Sequence, residues 1–344
     1  MRAVTFQAPG VVSVEDRPEP VIEDAEDAIV KIEATGVCGS DLHIFHGRVQ
    51  IEPGFTIGHE YVGRVLAVGE GVTRVAVGDR VLGCFQTACG SCWFCRRGLF
   101  HRCLQSRTFG HGSTLGSLQG TQAEQALVPR ANLVLRKVPE GMSSEVALFA
   151  GDVMGTGFHA VDDSGLQAGD VAAVLGLGPV GLCAVQAAKA VGAAKVFAID
   201  TVPERLAVAE SFGAEALHLG EQDVRAAVRS ATEGRGVDVS IDAVGDPKVL
   251  ESAIRLTRAC GAIQCIGVYA ERAEVHMGLL WLKSLTLRGG QANVIGHVDR
   301  VLAMLEAGVL DPTALVTRHM TLEEAPEAYA VYDRREALKI VLTP

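Results

Sequence analysis

The chain has 344 residues, more than one hydrophobic core usually serves, so two domains of ordinary size are expected. Hydrophobic residues make up 48% and charged residues 21%, a folded composition that excludes a disordered chain. The formal charge of −10, without any basic run, argues against a nucleic-acid partner. The opening MRAVTFQAPG lacks a signal-peptide pattern and no apolar stretch is long enough to span a bilayer, so a cytoplasmic protein with no membrane partner is expected.

From the N-terminus, short apolar or alternating runs bounded by Gly, Pro and Asp predict strands at VVSVEDR, AIVKIEATGV, YVGRVLAVG, DRVLGC and EQALVP. The texture changes near residue 151. SSEVALFAGDVMGTGFHAVD reads as helix on either side of a glycine break. Strand and helix then alternate through VAAVLGLG, PVGLCAVQAAKAVG, KVFAID and PERLAVAESFG. The rhythm continues in VDVSIDAVG, PKVLESAIRLTR, GAIQCIGVY and LTLRGGQ. It predicts an α/β fold with a doubly wound parallel sheet of the Rossmann kind. A helix at HVDRVLAMLEAG and a strand at LKIVLTP follow, and this tail is expected to return to the first domain. The expected organisation is a β-rich catalytic domain over 1–153 with a metal lobe at 84–104, a nucleotide-binding domain over 154–291, and a return over 292–344.

Gly176, Gly178 and Gly181 form G-x-G-x-x-G directly after a predicted strand and at the mouth of a predicted helix, and Asp200 ends the next strand. Alone the motif is weak, and a glycine-rich turn without a ligand is the plain alternative. In this context it predicts a dinucleotide site, with the pyrophosphate on the helix N-terminus and the ribose on Asp200. A carboxylate there repels a 2′-phosphate, and Thr201, Val202 and Pro203 offer no base to neutralise one, so NAD is favoured over NADP. Arg205 tempers that preference, since it could swing toward the ribose or simply lie exposed on its helix.

Nine cysteines are present, and four of them, Cys89, Cys92, Cys95 and Cys103, fall within fifteen residues. Four thiolates close a tetrahedron around zinc at about 2.3 Å and leave no open position, so the reading is a structural zinc site. An iron–sulfur cluster competes with it, and so do unmetallated thiols. Cys84 falls outside the spacing and reads as a core residue. Upstream, GVCGSDLH carries Cys38, Ser40, Asp41 and His43, and GHEYVGRV carries His59 and Glu60. Singly these are a buried thiol, a satisfied histidine and solvated carboxylates.

Taken in order, GVCGSDLH, GHEYVGRV, GDRV, the four-cysteine lobe, GDVMGTG, GLGPVG and Asp200 resemble the zinc-containing branch of the medium-chain dehydrogenase/reductase family over essentially the whole chain. The resemblance implies a GroES-like catalytic domain around the Rossmann domain. It implies two zincs per chain and reversible hydride transfer between an alcohol or carbonyl compound and NAD. It makes Cys38 and His59 ligands of a catalytic zinc. Asp152 stands where liver-type members carry a cysteine, and Glu60 is implied as a transient or indirect ligand. Ser40 and His43 are implied as the inner and outer members of a proton relay bridged by the cofactor ribose. Thr156, Val180 and Val268 are implied beside the cofactor, and Lys339 near its pyrophosphate, where Gly39 leaves no base after Cys38. HIFHGRVQIEP and GHGSTLGSLQGTQAE are expected to shape the pocket. Glutathione-dependent formaldehyde, polyol and threonine dehydrogenases share these motifs, and a zinc- and nucleotide-binding protein without turnover is the non-enzymatic alternative. By analogy with short bacterial members a homotetramer is favoured over a dimer.

Overall fold

The computed structural model describes residues 1–344. The chain divides into two compact units: Met1–Asp152 with Asn293–Gly308 and Pro312–Pro344, and Val153–Ala292 with Val309–Asp311. The fold is α/β, a Rossmann-type parallel sheet carried within a β-rich GroES-like unit.

Most of the first unit is a seven-stranded sheet. Its order runs Val316–Thr321, Lys339–Thr343, Ala28–Val37, Tyr61–Val68, Arg80–Gly83 and Leu135–Lys137, with Gln125–Val128 also pairing to Ala28–Val37. Two of its registers gather the polar side chains of the unit. Thr35 pairs with Tyr61, and Ile340 pairs with Val37, both antiparallel. These pairings bring the ends of three strands together, so that Cys38, Glu60 and Lys339 become neighbours although they lie far apart in sequence. A smaller sheet of Val11–Asp16, Arg2–Ala8 and Phe55–Thr56 packs into the same unit. The strand Arg2–Ala8 was not among the sequence expectations, because RAVTFQA alternates only over its middle residues. The core of the unit joins Val4, Phe6, Val37, Ile44 and Ile57 to Tyr329, Ile340 and Leu342, so both ends of the chain close it.

The second unit is a six-stranded sheet, parallel throughout. Its order is Glu215–His218, Lys195–Asp200, Val171–Leu175, Val237–Asp242, Thr257–Cys265 and Thr286–Gly289. The order reverses between Val171–Leu175 and Val237–Asp242, the switch point where ligands of such sheets bind. The helix expected over PKVLESAIRLTR stops at Leu256 and the next strand starts at Thr257, which leaves helical geometry with ψ 136°. The break expected near Gly151 separates the helices Ser144–Ala150 and Val153–Ser164, leaving Asp152 between them. No helix is long and apolar enough to cross a membrane.

Candidate metal centres and nucleotide-binding turn

Cys38 ends the strand Ala28–Val37 and opens the short helix Gly39–Phe45. Its amide donates to Asp41 Oδ2 at 2.9 Å, the reciprocal bond of a capping box, which sets the turn and directs the thiol inward. His59 and Glu60 precede the strand Tyr61–Val68, and Asp152 precedes the helix Val153–Ser164. All four side chains are buried, and their Sγ, imidazole and carboxylate atoms lie within 4.8 Å of one another. Cys38 Sγ is 3.4 Å from Asp152 Oδ2, and His59 Nε2 is 3.1 Å from the same oxygen. Ligand bonds of about 2.0–2.3 Å place neighbouring ligand atoms roughly 3.3–3.8 Å apart across a tetrahedral edge. The set therefore fits a zinc-sized ion with modest expansion. Ser40 Oγ lies 3.2 Å from His59 Nε2, so a hydroxyl stands beside the same corner.

Around these atoms runs a shell of charge. His59 has a carboxylate at each ring nitrogen, with Nδ1 3.1 Å from Asp41 Oδ1 in a close but poorly aligned contact. Burial works against its charged form, but Asp41 and Asp152 raise its pKa well above the ordinary imidazole value. Burial opposes ionisation of Asp152 too, yet the His59 bond and charge hold it well below the usual carboxylate range. The carboxylates thus concentrate negative potential where a cation would stand. Burial raises the Glu60 carboxyl to about 7 against the pull of Lys339, with Asp152 adding to the rise.

Lys339 has partners that the sequence reading did not foresee. It is fully buried, its ammonium set against the Glu60 carboxylate and 3.2 Å from Val37 O. The register of the strand Lys339–Thr343, with Ile340 opposite Val37, brings it beside the end of Ala28–Val37. Gly36 makes the pairing possible, since a Cβ there would stand 1.9 Å from Glu60 Oε2. His43 is half-buried with Nδ1 3.4 Å from Arg48, and burial, Arg48 and His46 lower its pKa. His111, from the segment expected to shape the pocket, lies with its ring 5.3 Å from that of His59 and its Nδ1 2.8 Å from Phe109 O. Asp41 was named in its motif without a role. Its position three residues after Cys38 was the available signal, since that spacing lets one carboxylate reach both the Cys38 amide and His59.

The second cluster gathers Cys89, Cys92, Cys95 and Cys103, again within 4.8 Å. The sulfurs of Cys92 and Cys95 are 3.5 Å apart and those of Cys89 and Cys95 4.0 Å apart. These bracket the roughly 3.8 Å edge of a tetrahedral zinc–thiolate site. Backbone amides point at the sulfurs: Cys92 N reaches Cys89 Sγ at 3.3 Å, and Cys89 N reaches Cys103 Sγ at 3.2 Å. Burial opposes the Cys89 thiolate, yet such amides bring its pKa down to about 6. Cys84 is apart from this set, fully buried, its thiol pushed up to about 12 by burial.

In the second unit, Gly176 has φ +89°, and a Cβ there would meet Val244 Cγ2 at 2.3 Å. A Cβ at Gly181 would stand 1.9 Å from Gly176 O, so the helix Pro179–Ala190 packs against the turn only with glycine. At Gly178 a Cβ would meet nothing, leaving the helix N-terminus open to a ligand. Asp200 Oδ2 accepts from Leu177 N at 2.6 Å, and Oδ1 accepts from Thr201 N and Val202 N. The acid therefore braces the glycine turn itself, with Arg205 3.9 Å away. Thr156 and Val180 are half-buried on their helices, and Val268 is exposed on the loop after Thr257–Cys265. Sequence reasoning missed the device that fixes this loop. Asp242 accepts from Val244 N, Gly245 N and the Tyr269 hydroxyl, and so ties the loops after two strands together.

A doubly wound parallel sheet with a glycine turn, joined in one chain to a β-rich unit with two cation-sized ligand clusters, defines a metal-containing dehydrogenase. Comparison with known proteins agrees with that class. Residues 24–140 match the alcohol dehydrogenase GroES-like domain, and residues 179–307 match the zinc-binding dehydrogenase family. The uncharacterized zinc-type alcohol dehydrogenase-like protein AdhB of Bacillus subtilis is 36% identical over the full length of both chains. Sorbitol dehydrogenase of the same organism is 30% identical over 100% of this chain and 97% of its own. The structure of alcohol dehydrogenase TADH from Thermus sp. ATN1 superposes with a TM-score of 0.97 at 42% identity, covering 100% of this chain and 99% of that one. The chain belongs to the zinc-containing alcohol dehydrogenase branch of the medium-chain dehydrogenases/reductases.

Proposed function

We propose that this chain is an NAD-linked alcohol dehydrogenase that interconverts primary or secondary alcohols with aldehydes or ketones. In this reading Cys38, His59 and Asp152 hold a catalytic zinc, Glu60 stands by as an alternative ligand, and Cys89, Cys92, Cys95 and Cys103 hold a structural zinc. The observation that carries it is the buried trio of Cys38, His59 and Asp152 at near-tetrahedral spacing with the Ser40 hydroxyl at the same corner. A catalytic zinc supplies a Lewis acid that eases loss of an alcohol proton or polarises a carbonyl.

The chain's own groups do the rest. Ser40 Oγ is placed to hydrogen-bond a substrate hydroxyl and receive its proton. His43, its pKa lowered by burial and by Arg48, is a neutral base at pH 7 and carries the proton outward. Asp41 holds the His59 ring, and Lys339 keeps Glu60 paired within the cluster. NAD rather than NADP is supported by the Asp200 carboxylate in its brace under the glycine turn, where a 2′-phosphate would meet negative charge. Gly176, Gly178, Gly181, Thr156, Val180 and Val268 are assigned to the same cofactor.

A polyol substrate is the second reading, supported by the full-length similarity to a sorbitol dehydrogenase. A homo-oligomer, tetrameric in this reading, is supported by the edge strand Thr286–Gly289 beside Trp281 and Leu282, which are 82% and 72% exposed. The deciding experiment is a metal count joined to a substrate scan with both cofactors. Two zincs per chain with NAD-linked oxidation of simple alcohols is the expected result. One zinc, strict NADP use, or turnover confined to polyols each removes its own part of the proposal.

A further inference from the structure

Behind the Cys38–His59–Asp152 cluster lies a chain of buried, hydrogen-bonded polar side chains. Gln122 and Tyr329 are both fully buried, as is Asp41. The Tyr329 hydroxyl donates to Gln122 Oε1 at 2.9 Å. Gln122 Nε2 donates to Gly36 O at 2.9 Å and, more weakly, to Asp41 Oδ2 at 3.4 Å. Asp41 in turn accepts from the Cys38 amide and sits against His59 Nδ1.

The order of donors is forced. The Gln122 amide has two acceptors at one end, a carbonyl and a carboxylate, so its NH2 must face them. Its oxygen then needs a donor, and Tyr329 is the group that supplies one. A flipped amide would set oxygen against oxygen in a site closed to water. Gly58 lets Gln122 pack close against its turn, since a Cβ there would stand 2.3 Å from Gln122 Cγ. The amide therefore has one orientation, and in that orientation it fixes Asp41.

We propose that Gln122 and Tyr329 are positioning residues of the metal centre, locking Asp41 so that Cys38 and the Nε2 lone pair of His59 stay aimed at one point. The assignment rests on the reading of that cluster as a zinc site. It makes the helix Ala325–Asp333, far away in sequence, part of the support of ligands at the other end of the chain.

The test uses the zinc-loaded full chain and follows metal transfer to a chromophoric chelator, together with the visible spectrum of the cobalt-substituted protein. Tyr329→Phe keeps the ring and removes the donor, and Gln122→Met keeps length and volume without the amide. Gln122→Met should release one of the two metals about ten-fold faster, the lower end of the outer-shell scale of about 10–100-fold, and Tyr329→Phe, one hydrogen bond further out, about three-fold faster. Both should shift the cobalt bands, while the cysteine-lobe metal leaves at the wild-type rate. Tyr269→Phe removes a hydroxyl donor bonded to Asp242 in the second unit and should change neither readout. Wild-type release rates and spectra in both variants overturn the assignment. So does equal acceleration at both metals, which marks a general loosening of the fold. A wild-type chain that binds metal at the cysteine lobe alone overturns the zinc reading and this assignment with it.

Discussion

The two ligand clusters of the first unit are opposites in construction. Cys89, Cys92, Cys95 and Cys103 come from one short segment, share one donor type, and point at a closed tetrahedron lined by backbone amides. Cys38, His59, Glu60 and Asp152 come from three separate elements, mix sulfur, nitrogen and oxygen, and keep a serine hydroxyl at one corner. The first needs only a loop to form. The second exists only when the sheet registers are correct. Local clusters are economical staples, whereas a site with an unfilled position must be assembled from distant segments that hold it open against collapse.

Cys38→Ala separates the two most sharply. Activity, read as kcat/KM, should fall on the order of a thousandfold, the scale of losing several kcal/mol of Lewis-acid assistance, while elemental analysis still finds one zinc. Loss of both metals would break the contrast. Cys92→Ser should do the reverse. A loss of a few kcal/mol of folding free energy corresponds to a melting temperature about 10 °C lower, read by calorimetry, with kcat of the folded fraction within about twofold of wild type.

A time course with phenanthroline sharpens the same comparison. The mixed-ligand site should empty first and carry activity with it, and thermal stability should fall only as the thiolate site empties. Coincident loss of activity and stability would merge the two roles. The smallest effect concerns His43. Its lowered pKa puts the base form in excess above an ordinary imidazole midpoint of about 6.5, so alcohol oxidation should rise with pH through a midpoint below that value. His43→Gln should flatten this limb and leave both metals in place, and an unchanged profile would remove His43 from the proton path.

The sequence shows the lobe plainly, because spacing alone brings four sulfurs within reach of one ion. The glycine turn is nearly as legible, since strand, glycines, helix and Asp200 follow one another locally. The other cluster was reached through motif order and family resemblance. Lys339 shows the limit of that route: its contact with Glu60 depends on pairing between Ile340 and Val37, which no local pattern encodes. Asp41, Gln122 and Tyr329 share the difficulty, because their contacts span up to 207 residues of chain. Only Asp41, three residues from Cys38, left a local trace.

The strand Lys339–Thr343 enters its sheet between Val316–Thr321 and Ala28–Val37, which bears on how the chain is made. A ribosome adding about 5–20 residues per second needs roughly 3–10 s to make the segment after Ala292. During that interval the nucleotide-binding sheet already has all six strands, whereas Val37 still lacks its neighbour and Glu60 its counter-ion. The strands of the inserted unit are thus all made before the first unit can close its sheet. Glu60 stays without the Lys339 ammonium until the returning strand pairs with Ala28–Val37.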